Sequence, residues 1–137
     1  QTGAVLPSPV AGHDSFGFEA MRVPWALAAD VLWYRERRAR ALLGPYQKLL
    51  AWFPEGSSVP GTILVDGTAG VVWEYPGMLG ALLPAWSLRR PVGTQRLYND
   101  RLEPLRAEHG WGDRDDYYGQ NWIWLGLALS QLREMPA

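Results

Sequence analysis

Along most of the chain, apolar positions recur at three- and four-residue steps, the period of a helix with one buried face. Ala20, Val23, Leu27, Val31 and Tyr34 predict a first helix ending near Tyr34. Pro24 fixes its start, because proline is tolerated in a first turn but costs about 3 kcal/mol in a helix interior. Glu19 and Arg22 therefore fall at or just before its amino terminus. A second helix is expected over residues 36–53, on the stripe Leu42, Leu43, Tyr46, Leu49, Leu50 and Phe53, with a kink or late start at Gly44-Pro45. Residues 62–65 and 71–73 then read as short β runs around Asp66-Gly67, a small hairpin or an extended loop.

Three further helical stretches follow. Pro76 suits the first turn of a helix to about residue 88, with Met78, Leu79, Leu82, Leu83 and Trp86 on one side and Pro84 against it. Thr94 is the expected N-cap of a helix over 94–108, with Leu97, Arg101, Leu102 and Leu105 in step and Pro104 opposing. Asp115 or Asp116 should cap the last helix, whose stripe is Tyr118, Trp122, Leu125, Leu129 and Leu132. Residues 1–15 lack periodicity and read as an extended lead-in loop. The expected class is all-α, built from paired antiparallel helices with a minor two-stranded β element.

Composition removes several functions. Zero cysteines exclude disulfides and thiolate metal sites, and two histidines, His13 and His109, are too few for a histidine-rich metal site. No cofactor is expected. A net charge of -1 gives no reason to expect nucleic acid. Charges or prolines interrupt every apolar run, so no membrane partner is expected either. The basic run Arg35, Arg37, Arg38 and Arg40 is broken by Glu36 and reads as a solvated helix face; Arg89-Arg90 is a second, shorter run. The opening Gln1 suits a processed, nicked or excised chain, and an extracellular or periplasmic location is expected. With 8 Trp and 6 Tyr against 3 Phe, the chain favours rings that join a flat apolar face to a polar handle. Such rings stack on sugars, although most should simply fill a helical core.

The block Phe16-Gly17-Phe18-Glu19-Ala20-Met21-Arg22-Val23-Pro24-Trp25, continuing through Ala29-Asp30 to Trp33-Tyr34, resembles glycoside hydrolase family 8. Arg38-Ala39-Arg40, Trp52-Phe53, Val65-Asp66-Gly67 and Asp116-Tyr117-Tyr118-Gly119-Gln120-Asn121 follow in the family's order. The likeness spans nearly the whole chain from Phe16 onward. It implies the carboxy-terminal part of an (α/α)6 barrel that cuts β-1,4-linked glucan, xylan or chitosan with inversion. The family's general acid lies in an early helix, upstream of anything present, so an upstream chain of the same domain, or self-association, is the implied partner. The family's acidic position falls on Glu19; in the best-known members it is an Asp acting as general base, and Asn or Glu also occurs there. Arg22 matches the arginine beside that base, and Tyr117 and Tyr118 match tyrosines near the catalytic centre. Trp25 is a candidate for the sugar cleft.

The chemistry fits those assignments. Inversion needs one protonated carboxyl and one ionised carboxylate about 6.5–9.5 Å apart, with water between carboxylate and sugar. A carboxylate at a helix amino terminus, three residues before an arginine, stays ionised as a base must. An ordinary capping carboxylate paired with Arg22 would look the same. His13-Asp14 could reach a cleft rim, while Asp66 suits a turn better than catalysis. Two other functions stand beside hydrolysis: a glycan-binding or structural module derived from the same fold, and a helical interaction protein without a carbohydrate role. Helices of half a barrel expose apolar edges, which again calls for a partner.

Overall fold

The computed structural model describes residue 10 and residues 15–51, 58–64 and 66–131. His13, Asp14, Val65, Trp52, Phe53 and Leu132 lie outside those residues, as does nearly all of the expected lead-in loop. The protein is mostly helical with two small antiparallel sheets. The helices are α1 (Arg22–Tyr34), α2 (Arg37–Ala51), α3 (Pro76–Ser87), α4 (Pro91–Leu97) and α5 (Tyr117–Gln131).

The β content exceeds the expected hairpin. β1 (Ser15–Phe16), β2 (Pro60–Leu64) and β3 (Ala69–Glu74) form a three-stranded antiparallel sheet in that order. Ser15, assigned to the lead-in loop, instead pairs with Leu64, and Phe16 with Ile63. The turn between β2 and β3 is closed by Asp66, whose Oδ1 accepts from the Thr68 amide at 2.9 Å and hydroxyl at 2.7 Å. Gly67 sits there at φ 87°, where a side chain would be strained. A second sheet pairs β4 (Arg106–Ala107) with β5 (Gly110–Trp111).

The helix expected over 94–108 is corrected into three pieces. α4 begins at Pro91, so Thr94 lies inside it and donates its hydroxyl to the Arg90 carbonyl at 3.0 Å rather than capping. The chain continues as a π turn over Tyr98–Leu102 and a 3-10 turn over Glu103–Leu105. Pro104 explains the break: it has no N–H for the carbonyl four residues back, and its ring collides with a continuing α-turn. The 98–105 segment is tied to the hairpin, since Glu74 Oε2 accepts from the Val59 amide at 2.8 Å and lies 3.3 Å from Arg101 Nη2.

α3 is the centre of the molecule. Every residue from Gly77 to Ser87 is buried, as befits a helix that is apolar all round. It packs against α1, α4 and, most extensively, α5. Pro84 inside α3 cannot donate to the Gly80 carbonyl, and α5 approaches at that point. A Cβ on Gly126 would lie 1.8 Å from Gly80 O, and one on Gly80 would lie 2.4 Å from Ile123 Cα. Gly77 meets Gly119 Cα in the same way, with 2.8 Å to a Cβ built on Gly77. These contacts advance together along both helices, so α3 and α5 run parallel.

α1 runs parallel to them too. The Tyr118 hydroxyl, in the first turn of α5, donates to the Phe18 carbonyl just ahead of α1 at 3.1 Å. Lower down, Trp25 stacks edge-on against Trp122 with centroids 6.0 Å apart, and its indole N–H donates to Leu125 O at 3.3 Å. The face buried by α1 differs from the expected stripe. Pro24, Ala28, Ala29 and Val31 are buried, whereas Val23 is 43% and Tyr34 75% exposed. Small alanines let α1 approach α2 and α3 closely, and size-weighted periodicity underrates them. Two- and three-residue links turn the chain from α1 into α2 and from α3 into α4, giving two helical hairpins.

Candidate functional site

Because α1, α3 and α5 run parallel, their amino termini gather at one end of the molecule. Each terminus carries the positive pole of a helix dipole, so this end favours negative charge. The turn over residues 17–21 leads into α1 there. It is closed by the Met21 amide donating to Gly17 O at 3.0 Å and anchored by Met21, which is fully buried. A Cβ on Gly17 would lie 2.9 Å from the Thr62 methyl, so the turn sits directly on β2.

Glu19 stands on the crest of this turn with its side chain 77% exposed, ion-paired with Arg22 three residues later. Beneath it, the Phe18 ring lies 4.6 Å from the Tyr75 ring and 6.1 Å from Trp73. Tyr75 precedes α3 and is buried, and its hydroxyl donates to Asp116 Oδ1 at 3.3 Å. The same oxygen accepts from the Gly119 amide at 2.9 Å, so Asp116 caps α5. Burial, and then the Asp116 carboxylate, push the Tyr75 hydroxyl well above the usual phenol range.

The sequence candidates are thus distributed unevenly. Glu19, Arg22 and Tyr118 share this end, with Tyr118 bonded to the backbone of the Glu19 turn through Phe18 O. Tyr117 lies at the same end, 78% exposed. Trp25 sits a turn further down, packed between Trp33 and Trp122 with its N–H committed to α5. Asp66 closes the β2–β3 turn. Among the described residues, no group of three or more His, Cys, Asp or Glu could hold a metal ion.

Sequence reasoning missed the Phe18–Tyr75–Asp116 stack that supports the Glu19 turn. Tyr75 has no periodic signature, and its partner is 41 residues away. One signal was available: a Tyr-Pro pair opening a helix places the Tyr at the N-cap, next to whatever the helix terminus faces.

The helices and small sheets define a mostly helical domain with an exposed carboxylate-arginine pair over an aromatic cluster that is anchored by the buried Tyr75. No protein-family model matches the chain, and neither any curated protein nor any solved structure does.

Proposed function

We propose that the chain is the carboxy-terminal part of an inverting, endo-acting glycoside hydrolase similar to family 8, acting on a β-1,4-linked polysaccharide with Glu19 as general base. The convergence of three parallel helix amino termini on the Glu19 turn carries this reading. Parallel helices, two of them followed by a helix that turns back, are what an arc of an (α/α)6 barrel contains, and the missing helices would complete it. In this scheme Glu19 stays ionised beside Arg22 and the helix poles, and takes a proton from the attacking water. Tyr118 fixes the height of the turn through the Phe18 carbonyl rather than touching the carboxylate. An upstream part supplies the general acid on the far side of the sugar, leaving room for water between the two carboxyl groups.

The test is Glu19→Gln in the domain completed by its upstream part, with turnover and oligosaccharide affinity measured in parallel. Turnover should fall about 10²–10⁴-fold while binding persists. Unchanged turnover removes Glu19 from the mechanism. A second reading rests on Trp73, 50% exposed beside the 38% exposed Phe18: a module that binds glycan by stacking without cutting it. If the completed wild-type domain binds oligosaccharide yet cuts neither glucan, xylan nor chitosan, that second reading replaces the first.

A further inference from the structure

The end opposite the Glu19 turn has its own chemistry. Both links between helices, α1 to α2 and α3 to α4, lie there, because α1 and α3 run parallel from the Glu19 end. Each link brings arginine to this end. The first carries Arg35 and leads into Arg37, Arg38 and Arg40 at the start of α2; the second carries Arg89 and Arg90. All six are exposed. They are six of the 13 basic residues, brought to one end of a chain whose net charge is -1. Among the described residues, the carboxylates next to these arginines in the chain are Asp30, exposed near the end of α1, and Glu36. Glu36 is already taken by Arg38, whose Nε and Nη2 donate to it at 3.2 and 3.1 Å. Leaving aside Arg38, which holds Glu36, and Arg89, the described residues at this end still set Arg35, Arg37, Arg40 and Arg90 against Asp30.

Apolar side chains are set among the arginines. Trp33 and Tyr34 end α1 immediately before Arg35, 52% and 75% exposed, with rings edge-to-face at 6.4 Å. Val92, two residues after Arg90, is 69% exposed. A soluble polyanion needs only the charges. An anionic lipid surface uses both: guanidinium groups meet headgroup phosphates, while Trp, Tyr and Val enter the boundary below them. Amphipathic rings favour that boundary, and arginine stems reach along apolar surface with the charge kept outward.

We propose that this arginine-rich end docks peripherally on an anionic lipid surface, with Trp33, Tyr34 and Val92 entering the headgroup layer. No helix among the described residues is long and apolar enough to cross a membrane, so the contact is made by an end of the helical body. Docked this way, the protein holds the Glu19 end away from the surface. The sequence pointed to a solvated face because Glu36 interrupts the first run, which sits on a helix. The fold joins the two runs, and Glu36 is spent on Arg38.

The test is co-sedimentation of the full chain with vesicles of phosphatidylcholine containing phosphatidylglycerol, against vesicles of phosphatidylcholine alone. Binding should require the anionic lipid and weaken with salt. Arg37→Gln, Arg40→Gln and Arg90→Gln should each lower it about fivefold. The matching Lys variants should restore most of the loss, which separates charge from packing. Trp33→Gln should weaken binding with the charges intact and reduce the fluorescence change that accompanies it. Equal binding to neutral vesicles, no effect of the Gln variants in a folded chain, or capture by soluble dextran sulfate but not by vesicles would each overturn the proposal. None of these outcomes depends on hydrolysis, so this proposal and the one for Glu19 fail separately.

Discussion

At the scale of single residues, Asp116 joins elements that the chain separates widely. One of its carboxylate oxygens accepts from both the Gly119 amide and the Tyr75 hydroxyl. Asp116→Ala removes an N-cap, which typically costs about 0.5–2 kcal/mol, and leaves a buried hydroxyl short of its acceptor. A fall in thermal midpoint of several degrees is expected, and an unchanged midpoint would show that water replaces the carboxylate. Tyr75 sets the alkaline limit. Burial and Asp116 raise its ionisation above the ordinary phenol value of 10.0, so the fold favours the neutral ring. Its contribution is complete below pH 10.0 and is lost as pH rises beyond that value towards the raised one. Tyr75→Phe should therefore flatten the loss of stability between neutral pH and pH 11, measured by denaturant unfolding at each pH. A cap at Asp115 or Asp116 was legible in the sequence, because an acidic residue before an apolar stripe is a local signal, and the structure selects Asp116. Its bond to Tyr75 was not, because nothing local records a contact across 41 positions.

Among elements, the seam between α3 and α5 carries most of the packing. The stripe of large residues on α3 is buried as periodicity foretold, but so are the residues between, and the close approach depends on glycine. Gly80 and Gly126 leave no room for a methyl group, with the Gly80 carbonyl the nearest atom to any Cβ on Gly126. Gly126→Ala should force the helices apart and destabilise by about 1–3 kcal/mol, the usual range for overpacking. Chemical denaturation would register it, and a neutral result would mean that α5 slides without loss. Leu79 and Leu82 on α3 are almost fully buried, and Leu79→Ala or Leu82→Ala would give the ordinary cavity cost for comparison. Periodicity located α1, α2, α3 and α5 because each repeats its apolar residues over several turns. It misjudged the 94–108 segment, where Pro104 outweighs the spacing of Leu97, Leu102 and Leu105 and leaves a π turn and a 3-10 turn. It also misjudged the buried face of α1, where tertiary neighbours on two sides select the small residues.

For the whole molecule, the question is what covers the apolar side chains that this chain leaves outside. Trp124 is 59% exposed on α5, on the helix that packs chiefly against α3. Leu42 on α2 is 41% exposed and Val23 on α1 is 43% exposed. An arc of a helical barrel would leave such residues along its open edges, and burial of one large side chain against a neighbour is worth about 1.5–3 kcal/mol. We expect the purified chain to self-associate, or to bind an upstream polypeptide that completes the domain. Sedimentation velocity over a range of concentrations tests the first alternative directly. Trp124→Gln should shift the distribution towards monomer with little change in thermal midpoint, because a residue this exposed contributes little within one chain. Trp73→Gln is the control, since its ring lies beside Phe18 at the candidate site and should leave association unchanged. Adding the upstream part should dissolve any self-association by occupying the same edge, and it should protect Trp124 from fluorescence quenching by iodide. A cooperatively melting monomer at all concentrations, unaffected by Trp124→Gln, would show that the chain is closed without a partner. The barrel-arc reading would then give way to a free-standing helical domain.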